Sequence, residues 1–294
     1  VSMTTKALVL GGTRFFGKQL VYTLLEQGIA VTIATRWKIA DPFGEQVKRL
    51  VFDRTSESSI KEVLRKETYV IVFDNIAYSA QDVAHLLQHV TPKRYVVTSS
   101  MSVYPVLQPN LQESDFKPEA YDIRLAESNQ LPYGEGKQTV ESMLTKTYPD
   151  LSAVFVRFPY VVGQEDYTQR FAFYLDKLVQ QEPMAIDNLT HQMAFVDAEE
   201  AGRFLAFLGT SDFTGPINGA SKGTISIEEI FAYATAKTGK VPLFAENGVK
   251  GPYNGTPDYS INTTQADAIG FVFSDLKEWI YQLCDWEIDR AAQR

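Results

Sequence analysis

KALVLGGTRFFGKQLVYTLLEQG, residues 6–28, reads as a strand, a turn and a helix in succession. Lys6–Leu10 is a short apolar run of the kind that a strand buried on both faces requires. Gly11 and Gly12 then permit a tight turn. Phe16, Leu20, Val21, Leu24 and Leu25 fall at helical spacing, and Gly28 stands where that helix would end. A strand running through glycines into a helix N-terminus is an anion site with a physical basis. The unpaired N–H groups of the first turn face the anion, and the helix dipole favours negative charge. Gly17 lets the helix lie close to the strand. The loop Gly11-Gly12-Thr13-Arg14-Phe15-Phe16-Gly17 is therefore expected to cradle a pyrophosphate.

Outward from this unit the alternation continues. Ala30–Ala34, Leu50–Phe52, Tyr69–Phe73, Tyr95–Thr98 and Ala153–Val156 read as further strands. One helix passes through Val83, Leu86 and Leu87, and another runs from Tyr133 to about Lys146. Apolar strands separated by helices imply an α/β fold, a Rossmann-type doubly wound parallel sheet with its ligand at the carboxyl ends of the strands. After Gly163 the pattern loosens into an aromatic-rich helix (Phe171, Phe173, Tyr174) and short strands near Met193–Val196 and Pro216–Asn218. Helices follow around Ile227–Thr238 and Leu276–Cys284, with a Pro- and Gly-bearing loop at 251–257 between them. The expected organisation is a dinucleotide-binding domain over 3–165, completed by segments near 190–220. A smaller C-terminal α/β substrate-binding part then comprises 166–190 and 221–294.

Composition narrows the function. The 294 residues are 45% hydrophobic and 22% charged, ordinary for a globular enzyme-sized chain. A net charge of −8 and a pI near 5.1 work against nucleic acid as a partner and leave a small-molecule substrate, with a homodimer compatible. Cys284 is the single cysteine, so no internal disulfide forms, and a buried thiol in a reducing compartment is expected. No stretch approaches a membrane span and no signal peptide is evident, which points to the cytoplasm. Val1 and Ser2, ahead of Met3, read as a leftover of cloning and carry no fold argument. His85 and His89 lie four apart, but HLLQH lacks the glutamate of a zincin motif and His191 supplies no evident third ligand; no metal is expected.

The end of the second strand ordinarily reads the adenosine ribose, and an acidic residue there selects NAD. Here the chain has Thr35-Arg36-Trp37-Lys38, without a carboxylate. Arg36 can pair with a 2′-phosphate, which favours NADP over NAD; the alternative is an exposed surface arginine. Asp53 closes the third strand, where it can accept from the adenine amine or cap the following Arg54-Thr-Ser-Glu turn.

Tyr133-Gly-Glu-Gly-Lys137 sets a tyrosine and a lysine one helical turn apart on one face. An ammonium beside a phenol stabilises the phenolate, so Lys137 is expected to lower the pKa of Tyr133 and make it a usable acid or base. Lys137 can also donate to the nicotinamide ribose. Gly134 and Gly136 within this helix cost stability relative to alanine, which suggests that a cofactor or neighbouring chain needs a bare backbone there. Ser99-Ser100-Met101-Ser102-Val103-Tyr104 follows the fifth strand and brings hydroxyls to the ligand edge. Ser100 can hold a substrate oxygen there, or serve only as a turn cap.

With these motifs in view, the chain resembles the extended short-chain dehydrogenase/reductases, the NAD-dependent epimerase/dehydratase family. The anchors are GGTRFFG at 11–17, Asp53, DNIAY at 74–78, SSMSVY at 99–104, YGEGK at 133–137, VRFPYVVG at 156–163, INGAS at 217–221 and AIGF at 268–271. The resemblance implies catalytic roles for Ser100, Tyr133 and Lys137. It implies cofactor contacts from the glycine loop, Arg36, Asp53, Asn75, Ala77, Thr98 and Phe158. Arg14 stands where the family usually has glycine, as in a subgroup resembling chloroplast stem-loop RNA-binding proteins. Met101 and Ser102 replace the acidic pair that sugar-nucleotide dehydratases carry, which disfavours dehydration. Tyr160, and His191-Gln192 where an arginine is frequent, also depart from the nucleotide-sugar pattern. The implied function is an NAD(P)-dependent oxidoreductase or epimerase moving a hydride at a secondary alcohol or carbonyl of a sugar-like or nucleotide-sugar substrate. The alternative is a non-catalytic cofactor- or RNA-binding member. Ser102, Tyr160, Tyr167, Arg170 and Phe173 are candidates for the substrate wall by position alone.

Overall fold

Strands too apolar to face water on either side must be covered twice, and the chain does this with helices on both faces of one parallel sheet. The computed structural model describes residues 4–65 and 68–294, so Val1, Ser2 and the expected domain start at residue 3 lie outside the described residues. The first elements are β1 (Lys6–Leu10), α1 (Phe15–Glu26), β2 (Ala30–Thr35), β3 (Val47–Val51) and α2 (Glu57–Leu64). Next come β4 (Ile71–Asp74), α3 (Ala80–Leu87), β5 (Arg94–Thr98), α4 (Tyr133–Lys146) and β6 (Ser152–Arg157). They are followed by β7 (Tyr160–Val162), α5 (Arg170–Gln180), β8 (Met184–Ala185), β9 (Phe195–Asp197) and α6 (Ala198–Gly209). β10 (Gly215–Asn218), α7 (Ile227–Thr238), β11 (Val249–Lys250), α8 (Thr264–Ala268) and α9 (Ile280–Ala292) close the chain.

The main sheet has seven strands in the order β3-β2-β1-β4-β5-β6-β10. Every pairing within it is parallel. Strand order reverses between β1 and β4, where Leu10 lies opposite Asp74, and a crevice opens outside the carboxyl ends at such a switch point. One face is covered by α1 and α6 through Leu20, Leu24, Phe204 and Leu205. The other is covered through Ile60, Leu86 and Val140 of α2, α3 and α4. A further apolar cluster joins α5, α7 and α9 through Leu175, Leu178, Ile230 and Ile288, and it contains the buried Cys284.

Some boundaries move for physical reasons. β3 begins earlier than the apolar run Leu50–Phe52, because it is an edge strand whose exposed Lys48 and Arg49 hide it from a hydrophobic pattern. The helix expected over Leu276–Cys284 divides into a 3-10 turn at Leu276–Glu278 and α9. The two short later strands separate: β10 joins β6 in the main sheet, whereas β9 pairs with β7 outside it.

α4 is fastened to the sheet by a charge pair in the interior. Arg157 at the end of β6 donates to Glu141 of α4 at 2.6 Å, and both side chains are fully buried. The same guanidinium donates to the carbonyls of Glu113 (2.8 Å) and Phe116 (3.3 Å), and Ser99 donates to the Glu141 carboxylate. Removing one member of such a pair strands the other charge without solvent. Glu141→Ala is therefore expected to lower the unfolding free energy by about 3–5 kcal/mol in urea denaturation. A loss within ~1 kcal/mol of zero would show that α4 does not depend on this pair.

Candidate active site

The glycine loop is shaped by two requirements that its sequence meets. Gly11 has φ +80°, and a Cβ on Gly17 would lie 1.9 Å from the Gly11 carbonyl oxygen, so α1 touches the loop only because residue 17 is bare. Phe15 also holds a left-handed conformation (φ 56°), costly for a non-glycine residue and sustained by its packing against Phe16 and Tyr167. α1 has no acidic residue in its first turn and no side-chain cap. Its first N–H groups therefore suit an anion, and the residues present fit a dinucleotide pyrophosphate.

Asn75 ties this loop to its neighbours. Its amide donates to the Gly11 carbonyl (3.2 Å), and its Oδ1 accepts from Thr98 Oγ1 (2.7 Å). Below it lies Lys137, whose ammonium donates to the carbonyls of Ala77 (2.9 Å) and Thr98 (2.8 Å) at 1% exposure. Two of its three hydrogens are thus spent on the ends of β4 and β5. Beside it, Arg54 pairs with buried Asp74 (2.6 Å) and donates to the Asp82 carbonyl (2.7 Å), and Tyr95 also donates to Asp74. The carboxyl ends of three strands are therefore set by buried charge as well as by packing.

A cleft of 960 Å³ runs from this loop across the switch point. Its wall includes Gly11, Thr13, Arg14, Phe15, Phe16, Gly17, Asn75 and Thr98 on the cofactor side. Ser100, Ser102, Tyr133, Lys137, Phe158, Tyr160, Tyr167 and Arg170 continue it. Three residues expected at the cofactor are not on that wall, and one of them, Asp53, lines a separate cavity. Gly12 is buried with its Cα facing Val9 and Val21, and Ala77 is fully buried, contributing only the carbonyl that holds Lys137. Phe173 packs instead beside the C-terminal cluster.

Beyond the ends of β2 and β3 a 200 Å³ cavity is lined by Thr35, Arg36, Asp53, Arg54, Ile76 and Tyr78, among others. Arg36 and Asp53 face one another at 3.5 Å, and Asp53 also accepts from the backbone and hydroxyl of Thr55. Hydrogen bonding from Thr55 leads the causes that hold the Asp53 carboxyl below its usual range. Of the two sequence readings of Asp53, the turn cap is seen, and the carboxylate also lies on the cavity wall. Tyr78, Ile76 and Arg54 were not singled out from the sequence; DNIAY and the residue after Asp53 were the only signals of their position.

Tyr133 is 56% exposed as a residue, and its ring lies 6.3 Å from the Tyr78 ring. Two expectations about this helix are corrected. Burial pushes the Lys137 ammonium down to about 8, and partial desolvation on the cleft wall pushes the Tyr133 phenol up. Lys137 is not what opposes that rise; a hydrogen bond with Ser100 and the charge of Arg170 pull Tyr133 back down. Lys137 lies 5.6 Å from the Tyr133 ring centre, with its charge directed to carbonyls. Nor do Gly134 and Gly136 make room for a ligand. Cβ atoms there would meet the carbonyl oxygens of Ser102 (2.7 Å) and Tyr78 (2.2 Å), so bare backbone lets α4 press against the segments after β5 and β4. Ser100 caps the turn at Met101–Val103 by accepting from Ser102 N (3.0 Å), and it shares the cleft wall with Tyr133.

Residues 7–220 match the family described as NAD dependent epimerase/dehydratase. The chain belongs to this family. A curated relative, the chloroplast stem-loop binding protein of 41 kDa b from Arabidopsis thaliana, is 26% identical over 261 residues. That match covers 82% of this chain, which spans 65% of the relative's length. Among solved structures, UDP-glucose 4-epimerase from Thermotoga maritima with UDP-glucose superposes at TM-score 0.77 and 15% identity, covering 99% of this chain and 100% of the other. UDP-glucuronic acid 4-epimerase from Bacillus cereus with NAD superposes at 0.73 and 16% identity, covering 98% and 97%. At these identities the likeness is one of fold. Among the described residues no helix is long and apolar enough to cross a membrane.

The burial of Lys137 makes a prediction about pH. Its pKa is depressed in the fold, so between about pH 8 and 10.5 the unfolded chain binds more protons at this residue than the folded one. Its contribution to stability therefore rises with pH across that window and is lost as pH falls. The stability of wild type relative to Lys137→Met, measured by urea denaturation, is expected to increase by up to ~3 kcal/mol from pH 8 to 10.5. A flat difference would mean that the ammonium is solvated.

Proposed function

We propose that the protein is a nicotinamide-dinucleotide-dependent epimerase that oxidises and re-reduces one secondary alcohol carbon of a sugar-like or nucleotide-sugar substrate. The observation that carries this reading is the convergence of Ser100, Tyr133 and Lys137 in one cleft with the glycine loop. The dinucleotide, when bound in its oxidised form, would take up the hydride and give it back to the same carbon. The Tyr133 phenol, raised in the free protein, would have to give up its proton to solvent before the oxidation; it would then take the alcohol proton as the hydride leaves and return it to the carbonyl oxygen in the reduction. Ser100, in contact with Tyr133, orients the same oxygen and stabilises the phenolate left behind. Lys137 holds the scaffold through two carbonyls and keeps one N–H for the nicotinamide ribose. Met101 and Ser102 offer no acid for water elimination, which favours epimerisation or simple reduction over dehydration.

The cofactor reading extends to NADP as the preferred form, supported by Arg36 and by the absence of a carboxylate at the end of β2. The family description names NAD, and the Bacillus cereus epimerase was solved with NAD. Arg36 already faces Asp53 and is largely exposed, so the preference is expected to be modest, roughly tenfold. The name of the Arabidopsis relative raises RNA binding as a second reading, against which stands the net charge of −8.

The test combines cofactor titration with turnover on a panel of UDP-sugars. Wild type is expected to bind NADPH more tightly than NADH, and Arg36→Ala to erase the difference. Tyr133→Phe is expected to keep cofactor affinity while kcat falls by roughly 10²–10⁴-fold. No detectable binding of either cofactor would overturn the proposal. Salt-dependent retention of RNA, insensitive to Tyr133→Phe, would favour the second reading.

A further inference from the structure

Arg14 stands in the glycine loop at a place where a bare residue is usual, and its side chain has a specific contact. Its guanidinium lies 3.7 Å from the centre of the Tyr167 ring, well within cation–π range. Phe15 meets the same ring edge-on at 6.2 Å. One helical turn further on, Lys18 of α1 donates to Glu165. Two charges one turn apart thus grip two residues of the segment between β7 and α5. Among the described residues no carboxylate pairs with Arg14, so its charge is not spent elsewhere.

The gripped segment, residues 163–169, is largely bonded to itself. Asp166 is buried and accepts from the backbone and hydroxyl of Thr168, and Gln169 Nε2 donates to the Asp166 carbonyl. At its end Gln169 holds a left-handed backbone (φ 57°). A loop braced in this way moves as one piece about its ends. Arg14, Tyr167 and Thr168 all line the cleft, and all three are exposed, so the Arg14–Tyr167 contact lies at its mouth. It joins the wall made by the glycine loop to the wall made by the residues after β6.

We propose that Arg14 and Tyr167 form a clasp over the dinucleotide, which enters and leaves only when their contact opens. The proposal rests on the proposed reading of the cleft as the site of an epimerase's nicotinamide dinucleotide. An arginine stacked on a ring keeps its in-plane N–H groups for an anion, here the pyrophosphate on the loop that carries Arg14. Arg14 then does two things that glycine at this position cannot: it adds charge to the phosphate site, and it closes that site. Tyr167 also acts electrostatically on the Tyr133 and Tyr78 phenols, so the closed segment reaches the reactive end of the cleft. Retention suits an epimerase, because the hydride returns to the carbon it left and the cofactor need not exchange between turnovers. A reductase, by contrast, must exchange its cofactor in every cycle.

The test follows cofactor exchange directly, so that it does not depend on turnover. Bound NADPH or NADH is displaced by excess ADP-ribose in a stopped-flow instrument, and its loss of fluorescence gives koff; mixing without ADP-ribose gives kon. Wild type is compared with Tyr167→Ala, Tyr167→Phe, Arg14→Ala and Glu165→Gln, with melting temperature checking the fold. Tyr167→Ala is expected to speed release by about three- to thirtyfold, and to speed entry as well, so that Kd changes less than koff. Arg14→Ala is expected to speed release over the same range. Tyr167→Phe keeps the ring beside Arg14 and is expected to release the cofactor at the wild-type rate. Glu165→Gln loosens only the outer tie, for an expected gain of roughly two- to fivefold. Release unchanged in both Tyr167→Ala and Arg14→Ala overturns the proposal, as does Tyr167→Phe releasing as fast as Tyr167→Ala. If release accelerates as expected but no UDP-sugar is epimerised, the clasp stands and the proposed function fails. If neither cofactor binds, both fail together.

Discussion

A single buried ammonium organises the centre of this molecule. Lys137 places its charge between the Ala77 and Thr98 carbonyls, and so links α4 to the ends of β4 and β5. Burying a lysine is costly, and the cost is visible in its depressed pKa near 8. What it secures is position. Thr98 passes the constraint to Asn75, and Asn75 to the carbonyl of Gly11, so the glycine loop, the switch point and α4 share one set of hydrogen bonds. One helical turn away on either side stand Tyr133 and Glu141, the former in the cleft and the latter paired with Arg157 beneath it.

This arrangement divides labour along a single helix face. Glu141 anchors, Lys137 aligns, and Tyr133 is left to meet a ligand. Gly134 and Gly136 serve the same end by letting α4 approach the Ser102 and Tyr78 carbonyls more closely than any Cβ allows. Desolvation raises the phenol, and what opposes the rise comes from Ser100 and Arg170 and not from Lys137.

Much of this was legible in the sequence, and the exceptions share a cause. β1, the glycine loop and α1 follow from apolar spacing and glycine placement, and α4 runs from Tyr133 to Lys146 as its pattern suggests. Local spacing puts Tyr133 and Lys137 on one face. It does not say where the ammonium points, and the direction decided against a Lys137 effect on the phenol. β3 was partly hidden because edge strands carry charge. Ala77 matched a family position yet offers only its carbonyl, and that to a lysine sixty residues on. Arg54, Arg157 and the partners of Gly134 are likewise set by contacts between segments distant in sequence, which a single chain read in order does not expose.

The central claim is that the crevice at the β1–β4 switch point is a dinucleotide site whose reactive end lies at Tyr133. A crystal structure of the protein with bound NADPH tests it most directly. Pyrophosphate oxygens are expected on the N–H groups of the loop from Gly11 to Gly17, adenine in the cavity beside Asp53, and the nicotinamide ring beside Tyr133 and Phe158. A dinucleotide lying elsewhere, such as the 660 Å³ groove lined by Phe116, Tyr148 and Pro216, would contradict it.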